Sequence, residues 1–528
     1  MRRLLICLLL SGIAGALFAA PPAQVWVDAS WSGRKHCGGH TWHVDAFSSI
    51  QRGIDGVAAG GAVTVAAGVY TEKVVISKPV TLRGPQAGIS PNAPTDADPT
   101  AGNTARTAGG EAVLRPPALD LTLGAGMLIT IKAERVTVDG FTLDGHNPAL
   151  TDGVLLNGVA GQAAAGIGVE NGPFRQVVIF NNIVRNMYRA GVYLFAQGPH
   201  ADGNRISNNR LDNLPVRTDA LPYATDKAVT AYGIRVGGDS FMGEISDNTL
   251  TRCAVGIHVS NLSAQLQESD GYTPSPLVQR NHIGAYYTGI IVNLVFAHFY
   301  PGPIVLLANN DVAILPADGA KHPDRYGLCL IGIDRSSRVL AVGNRLSGGE
   351  AGVFIWDTAT LSPAPSIEIY RGSITAAKYG VWLANHCLFG PGRGSTALVR
   401  GVFIRRCAVG LFLDDDPRGT QGVTLCLDSG TRIFDGERGI VIHGGRTALQ
   451  LIPSWCAVQI TGQHADYLTL EGNGQTYPGP LEVKSILFGG GEEYHQGQHR
   501  AEMTPEGLAA LEGKITDALD DARLGRVQ

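Results

Sequence analysis

Charge is scarce in this chain: Asp, Glu, Lys and Arg make up 17% of 528 residues and sum to −4. Nothing in it has the concentrated basic surface that nucleic-acid binding requires, which excludes that class of partner. Long apolar runs are missing beyond the first twenty residues, so no later segment can cross a bilayer as a helix. Cysteine is sparse too: the eight residues become seven once Cys7 leaves with an N-terminal leader. An odd number cannot all pair within one chain, and disulfides do not organise the fold. Cys253 and Cys407 stand in near-identical phrases, "TRCAVGI" and "RRCAVGL", and read as small buried apolar residues.

Glycine is in excess. The 69 glycines are about twice the usual share and follow no collagen triplet, which implies many tight turns between short strands. The opening "MRRLLICLLLSGIAGALFAA" has two arginines, a short apolar run and small residues, the pattern of a secretory signal. The mature protein is therefore expected to be exported, to the periplasm or beyond, with cleavage near Ala19 to Ala23 and no membrane span afterwards. The expected organisation is a signal peptide over 1–23, an N-terminal segment with a capping helix over 24–60, a solenoid over 61–490 and a tail over 491–528.

One phrase recurs from about residue 177, as in "EISDNTLTRCAVGIHV", "VLAVGNRLSGGEAGVFI" and "ALVRGVFIRRCAVGLFL". Short alternating strands are punctuated by Asn or Gly and close on Gly-apolar-x-apolar. The marker glycines are Gly191, Gly233, Gly256, Gly289, Gly327, Gly352, Gly380, Gly410 and Gly439. A unit this small cannot bury its own apolar face, whereas stacked units share one core, so the pattern predicts a parallel β-solenoid. The chain resembles the right-handed parallel β-helix proteins of the pectate lyase-like superfamily, and its segment "DAFSSIQRGIDGVAAGGAVTVAAGVYTEKVVISKPVTLRG" resembles the opening of many exported members. That resemblance implies an all-β fold and leaves lyase, hydrolase, esterase and adhesin activities open.

Phe47, Ile50, Ile54 and Val57 recur at helical spacing after Asp45, a candidate N-cap, so a helix is expected to plug the solenoid's first edge. Residues 84–110 form a polar loop too long for a plain connection. "TPEGLAALEGKITDALDDARLGR" reads as a C-terminal helix capped by Thr504, packed along the solenoid or against a partner subunit, which leaves a homo-oligomer open.

With the marker glycines aligned, the first and third following residues point inward and the second and fourth outward. The outward positions gather Phe354, Trp356, Trp382 and Phe412 at neighbouring rungs, faces on which sugar rings stack. Around them fall Asp357, His386, Asp414, Asp416, Arg418 and His443. Insertions at 213–230, 261–276, 315–326, 358–366 and 386–396 wall the strand on both sides. A saccharide-binding cleft is expected there, with Phe354, Trp356, Trp382, Phe412, Arg418 and His443 holding substrate.

Asp414 and Asp416 would lie roughly 6.5 Å apart on one face if the strand continued, a separation compatible with inverting glycoside hydrolysis. Asp414 or Asp416 is then the general acid, with its partner or Asp357 as base or nucleophile and His386 beside them. Asp415 fits a turn ladder with Asp357 and Asn385. The plainer alternative makes the whole triplet a strand end and a turn, because Asp and Pro are ordinary turn residues. No cofactor is required; clustered carboxylates leave calcium open, although no ordered calcium motif is present.

Other readings compete. A non-catalytic surface protein could bind glycan or protein through the same face. Arg185, Tyr188, Arg189 and Tyr193 could serve a polysaccharide lyase, or simply cover the outside of the solenoid. His36, Cys37, His40 and His43 are suitable zinc or copper ligands in a short loop but match no standard spacing.

Overall fold

The computed structural model describes residues 20–31, 37–92, 106, 110–169, 175–196, 201–214, 231–238, 241–260, 276–293, 304–316, 325–333, 337–358, 367–387, 390–392, 394–427 and 430–444, with short strands onward to 487. Residues 1–19, where the signal peptide is expected, His36 and the 491–528 tail lie outside the described residues.

Each coil contributes three strands. Ile367–Tyr370, Ser373–Thr375 and Tyr379–Ala384 pair in parallel with Ser395–Arg400, Phe403–Arg405 and Val409–Asp414 of the next coil. The first strands build a sheet of sixteen, while the second and third share a sheet of twenty-six that turns a corner. The chain is an all-β parallel β-helix. Antiparallel pairs end the column: Ala448–Leu451 with Ile486–Leu487, and Val458–Thr461 with Leu481–Val483.

The expected alternation holds. Val192, Ile234, Ile257, Ile290, Leu328, Val353, Val381, Leu411 and Ile440 follow the marker glycines and are buried in one continuous core. Cys253 and Cys407 are buried there as well, and burial pushes the Cys407 thiol up to about 11. The glycines themselves stack where the second face turns into the third. A Cβ on Gly352 would lie 2.1 Å from Ile374 Cγ2 and 2.8 Å from the Gly380 carbonyl oxygen, and the same crowding recurs at Gly256, Gly289, Gly380 and Gly410. Glycine is required because neighbouring coils touch there. Gly352→Ala is expected to lower stability by about 1–3 kcal/mol through overpacking, read as a reduced urea midpoint.

Between the first and second faces the chain turns through one left-handed residue, such as Asn208, Asp247, Arg280 or Asn309, each with φ between 51° and 57°. An asparagine follows each of them. Asn182, Asn209, Asn248, Asn281, Asn310 and Asn344 form a buried column in which each backbone N–H and Nδ2 donates to the next Oδ1 at 2.9–3.1 Å. Each Nδ2 also donates to a carbonyl of the preceding coil, as Asn281 does to Ile245 at 2.9 Å. The column stops at Gly372, where a Cβ would come 2.7 Å from the Asn344 carbonyl oxygen.

The helix is Ile50–Gly56, with Ile50 and Ile54 in the core. Its N-cap is Ser49, which accepts from the Arg52 amide, and Glu72 accepts from the Ile50 and Gln51 amides. Asp45 is not the cap: its carboxylate already accepts from the Thr41 amide at 2.6 Å. Phe47 belongs to the strand Ala46–Phe47 rather than to the helix. Within the 84–110 insertion, Arg106 is buried, paired with Glu111 at 2.8 Å and donating to the carbonyls of Ile89, Asn181 and Phe141.

Candidate functional site

The outward columns of the third face are in register as the glycine alignment requires. Tyr193, Arg235, His258, Ile291, Cys329, Phe354, Trp382, Phe412 and Val441 pair in succession. Beside them run Ile331, Trp356, Ala384, Asp414 and His443. Phe354, Trp356, Trp382 and Phe412 therefore share one face.

They do not form the exposed platform that the sequence suggests. Phe354 is fully buried and Trp356 is 9% exposed, within an apolar cluster separate from the main core. Tyr326 stacks on Phe354 at 4.5 Å, Trp382 meets Phe354 edge-on at 4.9 Å, and Tyr379 stacks on Phe412 at 4.7 Å. The rings spend their faces on one another. The 386–396 insertion also comes close: a Cβ on Gly392 would lie 2.8 Å from Trp356 Nε1 and 3.1 Å from Asp357 Cβ. Trp382, Phe412 and Tyr379 remain partly exposed. Tyr326 and Tyr379 precede their marker glycines and were missed because alternation was counted only forward from the glycine.

The three aspartates separate. Asp414 ends the strand Val409–Asp414 and lies opposite His443, whose Nδ1 is 2.8 Å from Asp414 Oδ1. The Asp414 side chain is 18% exposed and that of His443 45%, so solvent reaches the pair. Asp415 is buried and accepts from Asn385 Nδ2 at 2.6 Å, the turn contact expected of it. Asn385 also donates to the Asp416 carbonyl and accepts from the Asp416 amide, which pins the chain as it leaves the strand.

Because the strand stops at Asp414, alternation no longer carries Asp416 onto the same face. Arg418 donates to both Asp416 oxygens, at 2.9 and 2.6 Å, and its amide donates to Oδ1. These contacts hold the Asp416 carboxyl well below the usual carboxylate range, with a small further push from nearby His386. A carboxyl held ionised in this way is a poor proton donor at neutral pH. Arg418 closes the turn through these bonds, with its side chain largely exposed. Asp357, at the end of Ala351–Trp356 with φ 54°, is two coils away from Asp414 and takes the equivalent turn position to Asn385.

Toward the N-terminal end the same outward columns turn polar. Arg235 lies over Tyr232 at 4.9 Å and Tyr193 at 5.8 Å, and His258 stacks on Tyr232 at 5.2 Å. His258 is 8% exposed and Ser260 2%; among the described residues neither imidazole nitrogen nor the Ser260 hydroxyl has a hydrogen-bond partner. Burial, helped by the charge on Arg235, depresses His258 to about 3, so it is neutral at physiological pH. Arg189 and Arg185 are used otherwise: Arg189 Nε donates to Leu121 O at 3.1 Å and Arg185 pairs with Asp144 at 2.8 Å.

The histidine loop does not gather as a metal centre among the described residues. His40 stacks on Trp26 at 3.9 Å with Nδ1 3.2 Å from Asp45, and His43 packs against Trp42 at 4.6 Å.

No protein-family model matches the chain, and no curated protein does. Among solved structures, the Streptococcus pneumoniae surface protein and adhesin PfbA is 13% identical, with 84% of this chain and 99% of that chain covered at a TM-score of 0.34. The Yersinia enterocolitica family 28 exopolygalacturonase is 13% identical over 85% of this chain and 78% of its own, at 0.32. The DFA-IIIase from Arthrobacter chlorophenolicus A6, in complex with DFA-III, is 13% identical over 74% and 77%, also at 0.32. The likeness is one of fold.

Proposed function

We propose that this chain is an exported carbohydrate-active enzyme that cleaves or transfers glycosidic bonds along the outer side of its third face. The observation that carries the reading is the hydrogen-bonded, solvent-reached Asp414–His443 pair at the end of the aromatic row. In the tautomer that donates Nδ1–H to Asp414, the imidazole is oriented by a carboxylate and its Nε2 exchanges the proton with a sugar oxygen or a water. His443 replaces Asp416 as the acid–base residue. The partly exposed rings of Phe412 and Trp382 lie one and two coils from His443, where they can contact the substrate. Mass spectrometry of products from a panel of neutral and acidic polysaccharides tests this: added water identifies hydrolysis, and intramolecular products without added water and without ultraviolet absorbance identify transfer. An unsaturated product would indicate β-elimination instead, and no product from any substrate would count against the enzyme reading.

A second reading is a non-catalytic face that binds glycan or protein. The closed packing of Tyr326, Phe354 and Trp382 favours it, because these rings already stiffen the surface without any ligand. Saccharide binding with no turnover on prolonged incubation is its signature.

A further inference from the structure

The outward side of the first face carries an apolar strip that the solenoid itself does not cover. Leu277, Leu306, Leu340, Leu398 and Cys426 lie in register on their coils, with Glu368 between Leu340 and Leu398. Beside them run Ala308, Val342 and Tyr370. The charge of Glu368 is met locally, by the Arg338 guanidinium and the Tyr370 hydroxyl. The five apolar members of the column point away from the core into a cluster of their own, yet they are 1–9% exposed. Phe403, outward on the second face, is 44% exposed. The strands that carry the strip contact the first-face strands before and after them and third-face strands, and neither set reaches the outer side. Excluding water there takes a second layer of chain.

We infer that the C-terminal segment 504–526 is that layer, an amphipathic helix laid along the solenoid axis on the first face. Thr504 and Pro505 supply a cap and a first helical residue, and Leu508, Leu511, Ile515, Leu519 and Ala522 recur along one side of the helix they begin. Asp517, Asp520 and Asp521 fall on the opposite side. The lengths agree. The stripe from Leu508 to Ala522 extends about 21 Å as a helix, and the column from Leu277 to Cys426 spans five coil steps, roughly 24 Å. The starting point agrees too: the last described strand, Ile486–Leu487, pairs with Ala448–Leu451, the first-face strand that follows Val423–Leu427. Residues 488–503 easily span the two strand spacings, about 10 Å, back to the Cys426 end of the strip. Gly507 and Gly513 weaken the segment as an isolated helix, so its stability comes from the strip it packs on. Neither the acid–base pair nor a bound saccharide enters this inference.

Cys426 reports the contact. Burial pushes its thiol up to about 12, so it reacts slowly with iodoacetamide while the strip is covered. In the full chain, Leu511→Asp combined with Ile515→Asp is expected to speed alkylation of Cys426 by at least about tenfold, read by mass spectrometry of its peptide, because uncovering lowers the thiol pKa and opens access. Cys253 and Cys407 in the core and Cys329 on the outer side of the third face should keep their parent rates. Amide hydrogen exchange should show residues 508–522 protected in the parent and released in the double variant, with the solenoid's own amides unchanged. Leu340→Asp, made on the face instead of the tail, should release the same tail amides. Tail amides that are unprotected in the parent, or a double variant that leaves either readout at its parent value, overturns the inference and assigns the cover to another segment. A rise at Cys329 equal to that at Cys426 overturns it as a general loosening of the solenoid. Tail protection that is lost on dilution, with a dimer seen by sedimentation, overturns it in favour of tails exchanged between copies.

Discussion

Asn281→Ala is expected to destabilise the protein by about 3–5 kcal/mol, a large effect for an uncharged residue far from the proposed site. The Asn281 Oδ1 accepts from the Asn248 amide at 3.1 Å and from Asn248 Nδ2 at 3.0 Å. Its own Nδ2 donates to the carbonyls of Ile245 and Gln279 and to Asn310 Oδ1. Truncation strands donors and acceptors on both neighbouring coils where water cannot reach, since Asn281 is 1% exposed. Urea unfolding followed by circular dichroism measures the effect. A midpoint within experimental scatter of the parent would mean that the column decorates the turns without supporting them. Asn281→Asp is a useful companion: it keeps the acceptor but loses donors and brings a buried charge, so it should be at least as damaging.

The second large effect is expected at the acid–base pair. His443→Gln should lower kcat by about 10²–10⁴-fold on whichever substrate the panel identifies, the range that general acid–base catalysis contributes. Asp414→Asn should lower it by a smaller factor, because the imidazole remains but loses the carboxylate that orients it. Asp416→Asn should leave kcat near the parent value, since that residue only closes a turn with Arg418. The pH dependence separates the roles further. The folded-state pKa of Asp416 is depressed, so its pairing stabilises the turn above the unfolded value of about 4 and is lost as pH falls through the lower folded value. An acid limb in the rate profile at neutral or mildly acidic pH therefore cannot belong to Asp416. Full activity in His443→Gln would remove the pair from the chemistry, and a collapse in Asp416→Asn with intact folding would restore that residue to it.

The coil architecture was legible because the solenoid repeats its physical problem: where the second face turns into the third, successive coils approach too closely for a Cβ, and the marker glycines record that contact. Aligning them placed Phe354, Trp356, Trp382, Phe412, Asp414 and His443 correctly in register. Exposure was not legible. Facing away from the core is a property of one strand, whereas burial depends on insertions and neighbouring rings, so Phe354 reads as a sugar platform in sequence and is enclosed in the fold. Asp416 misled for a related reason: alternation ends with the strand, and the contacts that end it come from Asn385, thirty-one positions earlier. His258 and Ser260 fall in the same outward columns, but an isolated His or Ser among apolar residues carries no sequence signal of its burial.

The asparagine column also has a direction. Every Oδ1 from Asn209 to Asn344 faces the N-terminal end of the solenoid, because each accepts from the coil before it. At that end Asn182 Oδ1 accepts from the Phe141 amide, and the Arg106 guanidinium donates to the carbonyls of Phe141 and Asn181. Aligned amides polarise one another and sum to a net dipole, negative at the oxygen end, as peptide groups do along an α-helix. Arg106, its charge balanced by Glu111, thus presents buried guanidinium N–H donors at the oxygen end of the column, and the 84–110 insertion that delivers it closes the column with donors.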